Sequence, residues 1–193
     1  MTSKKRVVLI TGAESGIGKS TSKIFLDNGY KVICTYLKNN NNKNTKDIEY
    51  HRIDITKNKD WENLALYIKK KFKKIDVLVN SAGVRLSGNL ETTSMSDWSY
   101  HLNNNVTGTF LACKYILPFL KKAKNSSIIN VASINSIRGV KNMLAYATSK
   151  SAIISFTASL ALDLTKNKIR VNAVAPGAIE TPMLASFKKD LSL

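Results

Sequence analysis

Cysteine and acidic residues are scarce in this sequence of 193 residues, and it has no long apolar segment. Two cysteines, Cys34 and Cys113, are too few for a disulfide framework or a structural zinc site. Both lie in apolar segments, where we expect buried, reduced thiols. No apolar run approaches the roughly 20 residues that span a bilayer, and the apolar run at 7–10 is too short for a signal peptide. These absences exclude collagen-like, membrane-spanning and disulfide-rich secreted proteins, and they predict a cytoplasmic protein without a membrane partner.

The few acidic residues leave a large positive charge, because Lys and Arg total 30 against 13 Asp and Glu, a formal net charge of +17. Such a charge can indicate an anionic partner. However, only five of the basic residues are Arg, the residue that nucleic-acid sites favour for bidentate base contacts. The Lys-rich segment 69–74 alternates with apolar positions, as on the solvated face of an amphipathic helix. We therefore interpret most of the charge as solvated surface and predict no nucleic-acid partner.

Short apolar runs rich in β-branched residues alternate with helix-like segments along the whole chain. The predicted strands are 7–11, 31–35, 49–55, 75–80, 127–132 and 169–175. The predicted helices are 20–28, 57–72, 96–122 and 144–165. The strand runs are continuously apolar, which is typical of a parallel sheet covered on both faces. Because the sequence contains no linker and no internal repeat, it predicts one α/β domain over residues 1–193. The predicted architecture is a doubly wound parallel sheet in three layers.

A glycine-rich turn follows the first predicted strand, with the sequence T-G-A-E-S-G-I-G at residues 11–18. Gly12, Gly16 and Gly18 permit a tight turn and close approach of a ligand to the backbone. The helix N-terminus behind them offers free N–H groups and a positive dipole end, which suit a pyrophosphate. The spacing is G-x-x-x-G-x-G and not the common G-x-G-x-x-G. The turn predicts a nucleotide site.

Further motifs follow in a fixed order. N-S-A-G stands at 80–83, Asn105 follows Trp98 by seven residues, and P-G-x-x-x-T spans 176–181. Tyr146 and Lys150 form Y-x-x-x-K, with Ser133 thirteen residues before the tyrosine. A second Y-x-x-x-K at 67–71 has no serine at that spacing, and we interpret it as chance. From about residue 6 to residue 184 the sequence resembles the short-chain dehydrogenase/reductase family.

The resemblance implies a Rossmann-type fold and a hydride transfer between a nicotinamide cofactor and a carbonyl or alcohol, without a metal. Tyr146 would be the acid/base, and Ser133 would hydrogen-bond the reacting oxygen. Lys150 would hold the nicotinamide ribose, and Asn105 would bind a water. Since Tyr146 and Lys150 share a helix face, we expect the ammonium to lower the pKa of the phenol. The two histidines, at 51 and 101, are expected to be structural.

The same resemblance implies contact residues. For the cofactor they are Gly12, Ser15, Gly16, Ile17, Gly18, Tyr36, Asp54, Ile55, Asn80, Ala82, Gly83, Tyr146, Lys150, Pro176, Gly177, Ile179 and Thr181. For the substrate they are Ser133, Tyr146, Arg85, Asn135 and Met143.

The end of the second strand bears on which dinucleotide is used. An acid there would bind the adenosine ribose and reject a 2′-phosphate, but the position holds Tyr36, and no acid occurs in the strand or the loop before Asp47. Thr35, Tyr36 and Lys38 can accept a phosphate instead. We predict NADP(H) as the favoured cofactor and leave NAD(H) open.

Within the family the closest likeness is to the 3-oxoacyl-(acyl-carrier-protein) reductases of fatty-acid synthesis. These dock an acidic carrier through basic residues near the ends of the two long helices, where lysines stand here at 121, 122, 124, 166 and 168. The family commonly tetramerises through the same helices, so a homo-oligomer, a tetramer or dimer, is expected. A sugar or polyol dehydrogenase remains open, as does a non-catalytic dinucleotide-binding protein.

Two features depart from the family. An Asn-rich loop at 38–44 stands where a helix is usual. The family also continues, beyond the point where this sequence ends, through covering helices and a last strand. We therefore expect a C-terminally truncated chain, or a lid from a neighbouring subunit, with 169–175 as an exposed apolar edge.

Overall fold

The structure is a computed structural model that describes residues 5–38 and 43–185. The strands are β1 (Val7–Thr11), β2 (Lys31–Tyr36), β3 (Ile48–Arg52), β4 (Val77–Asn80), β5 (Ser127–Val131) and β6 (Arg170–Val174). The α-helices are α1 (Gly16–Asp27), α2 (Asn58–Lys71), α3 (Met95–His101), α4 (Gly108–Leu120) and α5 (Leu144–Asp163). A π-helical segment (Leu102–Thr107) joins α3 to α4, and short 3₁₀ turns occupy Ile134–Ser136 and Thr165–Asn167.

The six strands form one parallel sheet in the order β3-β2-β1-β4-β5-β6. Leu9 of β1 pairs with Ile33 on one side and with Leu78 on the other. The chain therefore reverses its direction of travel across the sheet beside β1. In such sheets a crevice opens at the carboxyl ends of the strands at that point. The predicted doubly wound architecture is confirmed.

Helices cover both faces of the sheet. Val7 and Leu9 pack on the face that carries α2, α4 and α5, whereas Val8 and Ile10 pack on the face that carries α1. This alternation follows from the two-residue period of a strand, and it gives the three predicted layers. Cys34 and Cys113 are buried free thiols, as expected, and burial raises the pKa of each to about 12.

Two predicted boundaries, the start of α1 and the end of β3, differ most from the structure. Helix α1 begins at Gly16 and not at Ser20, although Gly16 itself has φ +50° and glycine has a low intrinsic helix propensity. Strand β3 ends at Arg52 and not at residue 55. There the Asp54 carboxylate accepts hydrogen bonds from the Thr56 N–H (2.9 Å) and hydroxyl (2.7 Å), which turns the chain.

The π-helical segment lies inside the long helix predicted over 96–122. It places Asn105, 1% exposed, against α5 and the β4 loop. The Asn105 amide donates to the Ser149 hydroxyl (2.9 Å), and its oxygen accepts the Val84 N–H (2.8 Å). Single-turn π segments often occur at functional sites, and this one carries Asn105, a predicted site residue.

The two edges of the sheet differ in cover. Strand β6 pairs only with β5 among the described residues, and its Val174 is 45% exposed, which confirms the predicted apolar edge. Between β2 and β3 the described residues 37–38 and 43–47 are not helical, as expected. The rest of the predicted loop, 39–42, lies outside the described residues. No helix in the described part of the chain is long and apolar enough to cross a membrane.

Candidate active site

A cavity of about 900 Å³ lies at the carboxyl ends of the strands, between the loops that follow β1, β2, β4, β5 and β6. Most of the residues predicted for the cofactor and the substrate line it. They are Gly12, Ser15, Gly16, Ile17, Tyr36, Ile55, Ala82, Gly83, Arg85, Ser133, Asn135, Met143, Tyr146, Lys150, Pro176, Gly177, Ile179 and Thr181.

The glycine-rich turn is held against the loop after β4. The Thr11 hydroxyl accepts hydrogen bonds from the Ser81 N–H (3.0 Å) and the Ala82 N–H (3.1 Å). Gly12 has φ +66°, and a Cβ there would lie 2.8 Å from the Ala82 Cα. A Cβ on Gly18 would lie 2.3 Å from the Gly12 carbonyl oxygen. No side chain fits at either position, so the two glycines let the turn pack closely against the loop after β4 and against the start of α1.

This turn fits a dinucleotide pyrophosphate. Helix α1 begins at Gly16, at the cavity wall, and its first turn contains no acid. The free N–H groups and the positive dipole end therefore point to a place where negative charge is stabilised. The residues present thus suit the cofactor that the sequence predicts.

Four predicted residues lie behind the cavity wall and do not line it: Gly18, Asp54, Asn80 and Asn105. Asn80 donates to the Asn130 side chain (2.8 Å) in a buried pair. The Asp54 carboxylate is engaged in its own turn. Their predicted roles at the cofactor and catalytic sites stay predictions.

Ser133 and Tyr146 meet at the β5 end of the cavity. Ser133 caps the 3₁₀ turn after β5 and accepts the Asn135 N–H (3.2 Å). Tyr146, on the first turn of α5, is 8% exposed. Burial raises its pKa above the ordinary value of 10.0, and this outweighs the opposing effects of a hydrogen bond with Ser133 and the Arg85 guanidinium. The predicted lowering by Lys150 is wrong in this structure.

The Lys150 ammonium, which was expected to lower the pKa of Tyr146, instead donates a hydrogen bond to the main chain. The Nζ atom donates to the Val131 carbonyl at 2.7 Å, and the side chain is buried. Burial lowers the Lys150 pKa from 10.5 to about 8. A Cβ on Gly83 would lie 3.4 Å from Nζ and 3.0 Å from the Asn105 Oδ1, so Lys150 and Asn105 both approach the same point of the β4 loop.

The sequence did not single out several residues that line the cavity, among them Glu14, Tyr100 and Arg138. Glu14 lies inside the glycine-rich turn, so its position was a signal that could have found it. Tyr100 and Arg138 belong to segments without a recognisable motif.

The histidines and the second Y-x-x-x-K lie outside the cavity lining. His101 is buried, with Nδ1 2.7 Å from the Asp97 carbonyl and Nε2 accepting the Leu86 N–H, which supports the predicted structural role. Tyr67 and Lys71 both donate to Glu49, at 2.5 and 2.6 Å, on the α2 face. No group of three potential metal ligands occurs among residues 5–38 and 43–185.

Several known proteins are similar to this chain in sequence. The profile of the short chain dehydrogenase family matches residues 6–192. A 3-oxoacyl-(acyl-carrier-protein) reductase FabG from Thermotoga maritima is 37% identical over 186 residues, which cover 92% of this chain and 76% of that protein. Dehydrogenase/reductase SDR family member 6 from Aquarana catesbeiana is 36% identical over 183 residues, covering 93% and 73%.

Solved structures agree with the fold. The aldohexose dehydrogenase of Thermoplasma acidophilum superposes with a TM-score of 0.90 at 33% identity, covering 96% of this chain and 71% of that one. The structure of ElxO with NADP bound superposes with a TM-score of 0.86 at 32% identity, covering 98% of this chain and 80% of that one.

The sheet, the glycine-rich turn and the Ser133, Tyr146 and Lys150 cluster define an oxidoreductase that uses a nicotinamide dinucleotide and acts on CH–OH groups. The chain belongs to the short-chain dehydrogenase/reductase family.

Proposed function

We propose that the protein interconverts a carbonyl and an alcohol with Tyr146 as acid/base. The observation that carries this proposal is the meeting of Ser133, Tyr146 and Lys150 in one cavity wall, next to the glycine-rich turn. A nicotinamide held in this cavity would supply or accept the hydride. Tyr146 gives its proton to the carbonyl oxygen, and the Ser133 hydroxyl orients that oxygen. Arg85, Asn135 and Met143 line the substrate end.

Lys150 holds the nicotinamide ribose. Asn105, next to Lys150, binds a water that links Lys150 to solvent. The remaining predicted cofactor residues surround the dinucleotide from the turn at 12–18 to Thr181. Asp54 and Asn80 support it from behind. One domain carries both the cofactor site and the catalytic residues. Two reduced, buried thiols favour a cytoplasmic location.

The preferred cofactor is NADP(H). Thr35, Tyr36 and Lys38 line the cavity at the end of β2, a strand that carries no acid of its own. A solved relative, ElxO, binds NADP, whereas a Leptospira borgpetersenii short chain dehydrogenase binds NAD⁺.

Titration of the purified chain with NADPH and with NADH, followed by fluorescence, tests this preference without a substrate. A lower Kd for NADPH is expected. A lower Kd for NADH contradicts the cofactor preference but not the fold, and binding of neither contradicts the function.

The proposed substrate is a 3-oxoacyl group on acyl carrier protein, the substrate named for two similar proteins, from Thermotoga maritima and Chlamydia pneumoniae. The docking lysines need one correction. Lys121, Lys122 and Lys124 precede β5, and Lys166 and Lys168 precede β6. The cavity lies at the carboxyl ends of the parallel strands. These exposed lysines come just before the strands, so they lie at the opposite, amino-terminal ends of the sheet. They cannot present a carrier to the cavity of their own chain.

A homo-oligomer, a dimer or tetramer, removes this difficulty. Helix α4 carries the half-exposed Phe110, and the ring of Phe110 packs against that of Phe156 on α5. If two copies pack these helices antiparallel, the lysines of one copy lie beside the cavity of the other. The acyl-carrier and oligomer proposals therefore depend on each other, and sedimentation analysis tests the second directly.

A sugar or polyol is the second candidate substrate, favoured by the likeness to the aldohexose dehydrogenase. The polar side chains of Asn104, Asn135 and Arg138 line the substrate end of the cavity. Turnover of aldohexoses, with none of 3-oxoacyl thioesters, would select this candidate.

A further inference from the structure

Glu14 brings a negative charge to the end of β2, although it belongs to the glycine-rich turn. Its carboxylate oxygen Oε1 accepts the N–H of Leu37 at 3.5 Å, and Leu37 is the first residue after β2. Glu14 lines the cavity together with Tyr36, Leu37 and Lys38. The chain itself has no acid between Asp27 and Asp47. Glu14 therefore occupies, from another loop, the place of the missing acid.

The second carboxylate oxygen of Glu14 lacks a donor. Oε2 is buried and has no hydrogen-bond partner, and the same holds for the neighbouring Thr35 hydroxyl. Buried polar atoms without partners are uncommon and costly. The charge also raises the pKa of Cys34 on β2, which places the carboxylate close to that strand. A donor group is thus expected from whatever fills the cavity here.

In folds of this type the adenosine ribose lies at the end of the second strand, where an acid accepts its hydroxyl. We propose that Glu14 is the residue that binds this ribose and sets the choice between the two dinucleotides. Its carboxylate accepts the ribose hydroxyl, and its charge repels a 2′-phosphate. Lys38 acts in the opposite sense. This inference rests on the proposed binding of a nicotinamide dinucleotide in the cavity.

The test is the substitution Glu14→Gln in the full chain, which keeps the side-chain length and removes the charge. We expect the Kd of NADPH to fall about tenfold while that of NADH stays equal or rises. The same preference should appear with the fragments 2′,5′-ADP and 5′-AMP, which report on the ribose end alone. Lys38→Ala should move the ratio the other way. Glu91→Gln, an exposed acid away from the cavity lining, is the matched control and should change neither Kd.

The outcomes separate this inference from the proposed cofactor preference. A wild-type chain that prefers NADH, with a ratio that Glu14→Gln shifts towards NADPH, contradicts the preference and supports the role of Glu14. A ratio that Glu14→Gln leaves unchanged overturns the role of Glu14, whichever dinucleotide the wild type prefers. Binding of neither dinucleotide by the wild type overturns both. Should Glu14→Gln fail to fold, Glu14→Ser is measured in the same way.

Discussion

Tyr146 and Lys150 lie one helical turn apart, and burial disfavours the charged form of each. The pKa of Tyr146 rises, and the pKa of Lys150 falls to about 8. The phenol therefore keeps its proton at neutral pH, which suits donation to a carbonyl oxygen. The residue spacing predicted the position of this pair but not the direction of the Tyr146 pKa shift, because that direction is set mainly by the burial of the phenol in the fold.

Removing the Tyr146 hydroxyl should abolish proton transfer and leave the cavity intact. Tyr146→Phe is expected to lower kcat by about 10²–10⁴-fold, the usual contribution of a general acid. The Kd of the dinucleotide should change little. Stopped-flow turnover and fluorescence titration measure the two quantities, and a variant that keeps wild-type kcat contradicts the role of Tyr146.

We expect the buried ammonium of Lys150 to lower the free energy of unfolding at neutral pH. Its pKa is about 8 in the folded chain against an ordinary 10.5, so the unfolded chain holds the proton more tightly. The penalty is complete below pH 8 and disappears as the pH rises to about 10.5. At pH 7, Lys150→Met should raise the free energy of unfolding by about 1–3 kcal/mol and abolish turnover.

Urea unfolding at pH 7 and pH 9.5 tests this, and the gain should shrink at the higher pH. Lys141→Met, the same change at an exposed position, is the control and should show no such pH dependence. A Lys150→Met variant that is less stable at both pH values contradicts the argument.

The helices and strands were largely predictable because the strands of the parallel sheet are continuous apolar runs that alternate with longer helical segments. All six predicted strands and all four predicted helices are present. One error falls where the geometry depends on distant contacts. The π turn before α4 leaves no sequence signature, since its register is fixed by the bonds of Asn105 to Ser149 and Val84. The start of α1 was hidden by its glycines.

A buried amide network joins three of these elements. Asn80 of β4 donates to Asn130 of β5 (2.8 Å), which donates to the Thr157 hydroxyl of α5 (2.9 Å). Asn130→Val should lower the free energy of unfolding by about 1–3 kcal/mol, because the Asn80 amide is left buried without this acceptor. Denaturant titration measures the loss. Asn172→Val, on the exposed side of β6, should lower the free energy of unfolding far less. An equal loss in the two variants would contradict a stabilising role of the network.

At the scale of the whole molecule, two groups of basic residues lie at opposite ends of the parallel strands. The lysines before β5 and β6 lie at one end, and Lys38, Arg85 and Arg138 lie at the cavity. Composition alone predicted a solvated surface, and it could not show this separation. Only the parallel topology reveals that the first set requires a second copy of the chain to reach a cavity.

Reversing the charge of Lys121, Lys122 and Lys124 to Glu tests carrier docking. We expect kcat/KM for a carrier-bound 3-oxoacyl substrate to fall tenfold or more and to lose its salt dependence, since such charges act mainly on encounter. The kcat/KM for a free 3-oxoacyl thioester should stay unchanged. Reversing Lys23, Lys69 and Lys70, exposed on the α1 and α2 helices, is the matched control. Equal losses in both triple variants would exclude a specific docking surface.

The strand order also has a consequence for synthesis on the ribosome. Val8 of β1 pairs with Val77 of β4, so this side of β1 waits for a partner 69 residues downstream. At about 5–20 residues per second, that wait lasts about 3–14 seconds. During this time an apolar strand at the centre of the future sheet has one open side, which is where a chaperone would bind. Protease protection of β1 in nascent chains should therefore appear only after β4 has left the exit tunnel.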